Sequence, residues 1–452
     1  HHGQYTSFEV DATNAAHPGR NILALRVLTD NGPKFGTRPA YHTYGSQWWM
    51  GLIPGGITGD AALSLEPELR IAKALVTPDW KNRKIRVDYT IENHTGKRLA
   101  VRIGNTVTSA MKESAGKKIG TSTEEVQLSP GRNTGSMEIT LENPVPWQIG
   151  KPYLYFTTLF LERNGKIADA ESFRFGFRDF RIRNRRFEFN GEPVFLFSAN
   201  ISSHHFENAA WSEKLDRLAE KYLLGFLNRG YFILRTAHMP IRDRVLELAD
   251  ECGTLIALEW GWAFTNQLDH EKWKLYMNRE VTEFVENSCN HPSVALWSMG
   301  NEVSHIQDPA IADRFSELVR LVRKLDRSGR PVSAYSGSAG VFSYGERRLD
   351  TDLVDLHSYT GLAAQWTTMR GELDVYHRKL LEIYAPERKK LPFPWIGWEF
   401  IGFSWGIQTD KTFRPGDRNA YGKYAEKISA STWGSPQGIG FSGSIGLAAA
   451  LD

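Results

Sequence analysis

Two glutamates mark where chemistry can begin. Glu302 follows the apolar run Val294–Gly300 (VALWSMG) and Asn301, and Glu399 follows Pro394–Trp398 (PWIGW). A carboxyl group at the end of an apolar run is desolvated on one side, which disfavours its charged form. One such Glu serves equally well as half of a structural ion pair at a strand end. Two of them, on different strands and facing each other, form the pair that splits a glycosidic bond. One protonates the leaving oxygen, and the other attacks the sugar or activates water. The chain also carries 14 Trp, 16 Tyr and 24 Phe. Aromatic faces suit the apolar faces of sugars, although any single ring serves first as core packing.

The two glutamates are far apart in sequence, so only the fold can bring them together. The second half of the chain alternates short apolar runs with helical stretches. Candidate strands end near Ala199, Thr236, Glu259, Gly300, Ala334, Ser358, Glu399 and, more weakly, Ser442. Helix-like segments cover Ser212–Leu224, Arg242–Cys252, Lys272–Asn287, Ala310–Leu325, Glu372–Tyr384 and Ala420–Ser429. Eight strand-like runs alternating with helices predict a (β/α)8 TIM barrel, whose active site lies at the C-terminal ends of its strands. An open doubly wound sheet is the runner-up, but no Gly-rich phosphate turn follows the first strand.

The first half reads as strands. Ile85–Ile91 (IRVDYTI) alternates with period two, and similar runs lie at 99–103, 124–128, 136–141, 153–161 and 171–177. Asn93, Gly96, Pro130-Gly131, Asn143-Pro144 and Asn164-Gly165 punctuate them, as in a β-sandwich. Tyr5–Thr13 and Asn21–Val27 also alternate and are read as two further strands.

Composition excludes several function classes. Hydrophobic residues make up 41% and charged residues 24%, which is ordinary globular usage. The net charge of +3 is too small to argue for nucleic acid or an anionic membrane surface. No apolar run approaches the roughly 20 residues of a spanning helix. Cys252 and Cys289 are too few for a disulfide scaffold or a four-cysteine zinc site, and two buried free thiols are expected. The chain opens on His1-His2-Gly3 without Met, as expected of a sequence that begins inside a domain, so no compartment is read from it.

Several segments together resemble a known family. Asn290–Glu302 (NHPSVALWSMGNE) is similar to the acid/base segment of glycoside hydrolase family 2, the β-galactosidase, β-glucuronidase and β-mannosidase group. The match runs through Asn290, His291, Pro292, Trp297, Ser298, Asn301 and Glu302. Arg235–Pro240 (RTAHMP), with Asp250-Glu251-Cys252-Gly253 behind it, resembles the family's Arg-Thr-Ser-His-Tyr-Pro segment and the helix end that follows. Gly176-Phe177-Arg178 and Phe189–Leu196 resemble its sandwich-to-barrel junction, Trp147 and Pro152–Tyr155 its immunoglobulin-like domain, and His2-Gly3-Gln4-Tyr5 the last part of its N-terminal jelly roll. The resemblance spans essentially residues 1–440. It implies three domains: the C-terminal part of a sugar-binding jelly-roll β-sandwich at 1–65, an immunoglobulin-like β-sandwich at 66–179, and a catalytic TIM barrel at 180–452.

What the family implies for function is a retaining exo-glycosidase. Glu302 becomes the general acid/base and Glu399 the nucleophile, at the retaining carboxyl separation of about 5–5.5 Å. Asn301 is implied to bind the sugar 2-hydroxyl, or else to cap its strand end. Arg235 and Tyr359 are implied to keep Glu399 ionised. His238 and His357 are subsite residues or satisfied core histidines. Glu259 either binds substrate or pairs with Arg235. His205 follows the first strand with His204 and Glu207, in a spacing that matches no zinc pattern. Trp398, Trp405 and Trp433 are candidates to stack on sugar, Trp405 foremost.

The sequence departs from the family in places. Phe232 and Met239 stand where the family usually has Asn and Tyr. No Asn-x-Lys motif lies near the barrel end, which disfavours a glucuronidase, and Gly300-Asn301-Glu302 is closer to the galactosidases. Gly434–Asp452 lacks the eighth-strand Trp-Asn-Phe pattern. The favoured substrate is a terminal β-galactoside in an oligosaccharide or polysaccharide, with no cofactor or metal. The alternatives are a β-glucuronidase or β-mannosidase, an endo-acting glycanase of the same barrel clan, and a carbohydrate-binding fragment without turnover. Oligomeric state is not readable.

Overall fold

A computed structural model describes residues 6–26, 61–201, 213–237, 239–261, 270–303, 308–337, 349–358, 378–383, 392–400 and 445–447, with isolated positions 57, 59, 375, 385 and 387. Seven antiparallel strands come first: β1 (Leu69–Asp79), β2 (Lys84–Asn93), β3 (Leu99–Ser109), β4 (Lys118–Leu128), β5 (Gly131–Thr140), β6 (Tyr155–Arg163) and β7 (Lys166–Phe175). They form two sheets, ordered β1-β2-β5 and β4-β3-β6-β7. The period-two pattern explains the sandwich. Ile85, Val87, Tyr89 and Ile91 are buried on one face, and they share a core with Val101, Ile103, Leu159 and Leu161 of the opposite sheet. The β6–β7 hairpin turns on Asn164-Gly165, both at positive φ, as the type I′ geometry requires.

The expected strands at Tyr5–Thr13 and Asn21–Val27 are not formed. Residues 6–26 carry no strand, and Val10, Ile22 and Leu23 are exposed. Alternation makes a strand only where a partner strand completes its ladder, and no strand pairs with this stretch among the described residues.

A small antiparallel sheet, β8 (Phe180–Arg183), β9 (Arg186–Phe189) and β10 (Glu192–Pro193), links the sandwich to the barrel. Phe180 and Phe187 pack with Ile233, Leu255 and Leu353, which lie at the starts of barrel strands, so this sheet closes the barrel's N-terminal mouth. The barrel strands are β11 (Phe197–Ile201), β12 (Ile233–Thr236), β13 (Leu255–Glu259), β14 (Val294–Ser298), β15 (Val332–Ser333), β16 (Val354–Ser358), β17 (Trp395–Phe400) and β18 (Ile445–Leu447). Their order, β15-β14-β13-β12-β11-β18-β17-β16, closes through Ser336, which bridges both Asn301 and Asp355. Closure removes the doubly wound alternative. The helices α1 (Glu213–Leu227), α2 (Asp243–Cys252), α3 (His270–Ser288) and α4 (Pro309–Leu325) follow β11 to β14 in turn.

The eighth position departs from a regular barrel. β18 lies beyond Ser442 and runs antiparallel to both β11 and β17. Ladder bonds come from backbone groups and form in either polarity. The short Ile-Gly-Leu segment brings little side-chain pattern to fix one direction.

The sandwich and the barrel are tied at the barrel's N-terminal end. Asn290 bonds the free edge of β1 through both ends of its amide: Oδ1 accepts from Val76 N at 2.8 Å, and Nδ2 donates to Ala74 O at 2.9 Å. Gly253 caps α2 in the left-handed region at φ 78°. A methyl group there would stand 2.5 Å from Gly150 N, so only glycine fits against the sandwich linker.

Candidate active site

Polar residues collect where the barrel strands end. β12 places Arg235 one residue before its end, β13 ends on Glu259, and β14 ends on Ser298. Asn301 and Glu302 follow β14, Ser336 extends β15, Asp355 and His357 lie in β16, and Glu399 lies in β17. All but Asp355, the second residue of β16, are at or near the C-terminal ends of their strands, the end where such barrels do chemistry.

The first cluster is a buried ion pair. Arg235 and Glu259 are both fully buried. Arg235 Nη2 donates to both Glu259 oxygens at 2.8 Å, and Nε donates to Oε2 at 3.0 Å. Ser298 Oγ donates to Glu259 Oε2 at 2.8 Å, and Glu259 N donates to Thr236 Oγ1 at 2.9 Å. A buried pair survives only when its remaining hydrogen-bonding capacity is filled in this way. Glu259 is paired with Arg235.

The cluster also orients Asn301. Arg235 Nη2 donates to Asn301 Oδ1 at 2.6 Å. Arginine only donates, so the amide oxygen must face it and Nδ2 must face away. Asn301 is fully buried, yet its Nδ2 has no hydrogen-bond partner. A buried donor without a partner is uncommon, and here it sits beside the carboxyl expected to do chemistry.

The second cluster holds Glu302. Its carboxyl is about a quarter exposed, and Oε1 lies 2.7 Å from Nδ1 of the fully buried His357. Its backbone is left-handed at φ 43°, unusual for a non-glycine residue and costing on the order of 1–3 kcal/mol. The bond from Glu302 N to Ser336 O, at 2.8 Å, holds it there. Gly337, at φ 136°, leaves room for the carboxyl arm, since a methyl group there would stand 2.9 Å from Glu302 Cγ. The backbone of Glu399 in β17 pairs in register with that of His357 in β16. Burial, and then the charges of Glu302 and Asp355, push the Tyr335 phenol well above its usual range.

The remaining expected residues divide plainly. His205, His238, Tyr359 and Trp405 lie outside the described residues, as do His204, Glu207 and Trp433; Trp398 has only a strand position, in β17. Among the described residues no group of three His, Cys, Asp or Glu could hold a metal ion. No helix among them is long and apolar enough to cross a membrane. Both cysteines are free, and burial pushes their thiols up, Cys252 to about 11 and Cys289 to about 12. Sequence reasoning missed Ser336 and Asp355. The available signal was Asp355 itself, an acid inside the apolar run that enters β16.

Comparison with known proteins places this geometry among relatives. Residues 69–178 match the family described as glycosyl hydrolases family 2, and residues 180–400 match the TIM barrel domain of that family. A beta-galactosidase of Alteromonas mediterranea is 25% identical over 382 residues, covering 80% of this chain and 34% of the relative. A protein named as a putative beta-glucuronidase, from Formosa agariphila, is 27% identical over 351 residues, covering 75% of this chain and 40% of its own. The chain thus spans well under half the length of these two curated relatives. Among solved structures, a family 2 beta-galacturonidase from Eisenbergiella tayi bound to galacturonate superposes with a TM-score of 0.65 at 19% identity, covering 80% of this chain and 61% of the other. A beta-D-glucuronidase of Dictyoglomus thermophilum superposes with a TM-score of 0.61 at 19% identity, covering 81% and 60%. These structural likenesses speak for the fold.

Proposed function

The chain belongs to glycosyl hydrolase family 2, and from that premise we propose that it is a retaining exo-glycosidase acting on terminal β-linked sugars, β-galactosides first. The observation that carries this reading is the partly exposed Glu302 carboxyl at the barrel mouth, held by His357, with Glu399 in register beside the same histidine.

In this mechanism Glu399 attacks the anomeric carbon while Glu302 gives its proton to the leaving glycosidic oxygen. The bond to the aglycone breaks as the glycosyl–Glu399 ester forms. Glu302, now a carboxylate, takes a proton from water, and the resulting oxygen nucleophile releases the sugar and regenerates Glu399. Asn301 Nδ2 serves as donor to the sugar 2-hydroxyl, an assignment supported by its lack of a protein partner. Arg235 and Glu259 act from behind, by fixing that amide's orientation. Arg235 and Tyr359 keep Glu399 ionised, His238 and His205 line the first subsite, and Trp398 and Trp405 stack on sugar. The beta-galactosidase relative and the Gly300-Asn301-Glu302 segment support a galactoside. The relative named as a putative beta-glucuronidase keeps glucuronides in the test.

The test is a panel of aryl β-galactoside, glucuronide, mannoside, glucoside and fucoside, run on the wild type, Glu302→Gln and Glu399→Ala. Turnover of one sugar, lost in Glu399→Ala, is the expected result. Equally slow hydrolysis by wild type and Glu302→Gln would sink the enzyme reading and leave a sugar-binding protein. Release of oligosaccharides rather than monosaccharide from a longer substrate would make it an endo-acting glycanase.

A further inference from the structure

Behind Glu302 runs a buried chain of polar groups. His357 Nδ1 lies 2.7 Å from Glu302 Oε1, and its Nε2 lies 2.9 Å from Ser336 Oγ. The Ser336 hydroxyl donates to Asp355 Oδ2, which is also 3.5 Å from His357 Nε2. Ser336, Asp355 and His357 are all buried.

The hydrogens in this chain can be counted. Asp355, as a carboxylate, only accepts. Ser336 has one hydroxyl proton and gives it to Asp355, so its oxygen meets His357 Nε2 as an acceptor. Nε2 must therefore carry a hydrogen. A neutral imidazole protonated on Nε2 presents a bare Nδ1. At 2.7 Å the contact between Nδ1 and Glu302 needs a proton, and this tautomer does not supply one. The proton is then the carboxyl proton of Glu302, or that same proton moved to Nδ1 to give an imidazolium beside a carboxylate. The opposite tautomer would donate its Nδ1 hydrogen to Glu302 and favour the ionised carboxylate, which has no proton to deliver.

We propose that Ser336 and Asp355 are positioning residues that fix His357 with its hydrogen on Nε2, so that the Glu302–His357 pair retains the proton Glu302 delivers to the leaving oxygen. The proposal rests on the glycosidase reading of Glu302. Delivery breaks the Glu302 O–H bond as the glycosidic C–O bond breaks, leaving a carboxylate beside a neutral imidazole. The attacking water then returns a proton to the pair. Among the described residues, Tyr335 lies beside Ser336, and the Arg235–Glu259 pair reaches Asn301 next to Glu302; the backbone of Glu399 is in register with His357.

Two measurements on the full chain test this. The first is the nitrogen-15 spectrum of histidine-labelled protein, with His357 assigned by difference against His357→Gln. A hydrogen on Nε2, alone or as part of an imidazolium, supports the proposal; a neutral ring protonated on Nδ1 overturns it. The second is the pH profile of kcat/KM on whichever sugar the wild type turns over. Its alkaline limb follows the proton on the general acid. In Asp355→Asn the new amide donates to Ser336 Oγ and turns the serine proton toward Nε2. That limb is then expected to fall by about one pH unit or more, with the acid limb in place. A profile lowered as a whole with its limbs unmoved would leave these residues merely structural and overturn the proposal. A folded wild type with no turnover on any sugar would fail the glycosidase reading itself, and the relay's catalytic use with it. Turnover with a fixed alkaline limb would fail only the relay.

Discussion

The two ends of the barrel treat buried charge differently. At the N-terminal ends of the strands each charge is saturated by the protein. Asp250 accepts from His291 Nδ1 at 2.7 Å, Ser293 N at 3.0 Å and Arg174 Nη2 at 3.2 Å. Asp326 accepts from Arg330 Nη1 and Trp297 Nε1, both at 2.8 Å. Arg330 also donates to the carbonyls of Val294, Cys289 and His291, and Arg178 donates to those of Pro292 and Val294. At the C-terminal ends Asn301 keeps an unpartnered donor and Glu302 stands partly exposed on a strained backbone. The saturated end fastens the sandwich to the barrel. The incompletely saturated end has hydrogen-bonding capacity left for a ligand. One segment, Asn290–Glu302, serves both: Asn290, His291 and Trp297 anchor it below, and Asn301 and Glu302 face the mouth above.

The largest effect that would break this contrast is expected at the upper end. Glu302→Gln should lower kcat/KM for an alkyl β-glycoside by about 10²–10⁴-fold, and by less for an aryl glycoside whose leaving group needs little protonation. Its melting temperature should barely change, because a partly exposed carboxyl contributes little to the fold. A large loss of stability would mean that Glu302 belongs to the scaffold. Asp250→Ala should behave the opposite way. It strips a buried carboxylate from His291 and Arg174, and removing one partner of such a cluster costs about 3–5 kcal/mol. Denaturant unfolding of the full chain measures that loss. kcat of the folded fraction should stay at the wild-type value, and a fall in kcat would show the two ends to be coupled.

A smaller effect sharpens the contrast through the backbone. Gly253→Ala puts a methyl group at φ 78° and 2.5 Å from Gly150 N, where neither backbone can give way cheaply. A loss of about 1–3 kcal/mol, again without change in kcat, is expected from denaturant midpoints.

What the sequence made legible follows the same division. Glu302 and Glu259 could be found because each follows or ends an apolar run, and such a run marks a buried strand; Arg235 and the role of Asn301 were legible only through the family resemblance. Ile85–Ile91 was legible because its alternation meets a facing sheet. Tyr5–Thr13 shows the same alternation without a partner strand among the described residues, so pattern alone overstated it. Ser336 was hidden in Tyr335–Gly340 (YSGSAG), two residues past the expected end of its strand near Ala334, in a small polar stretch with no motif; only the bridges to Asn301 and Asp355 give it a place. Asp355 interrupts the apolar run of β16 and could have been marked on that ground, but its role as an acceptor comes from the serine beside it in space. The direction of β18 was illegible because backbone pairing, not side-chain pattern, holds Ile445–Leu447.

The smallest effect is a pH dependence confined to the lower end. Burial opposes the charge on both Asp250 and His291, but each favours the charged form of the other. The net result holds the Asp250 carboxyl below its usual range and His291 above its own. The raised histidine contributes stability that is full below its unfolded value, roughly 6.5, and is lost as pH rises through its folded value. The depressed carboxylate contributes stability that is full above roughly 3.9 and is lost as pH falls through its folded value. Both contributions are complete only between those two unfolded values. The wild-type melting temperature should therefore decline from about pH 6 to about pH 8 more steeply than that of His291→Gln, because only the wild type loses the His291 charge over that window. Parallel declines in the two proteins would show that the Asp250–His291 contact is a neutral hydrogen bond, and that the lower end is held by geometry rather than by charge.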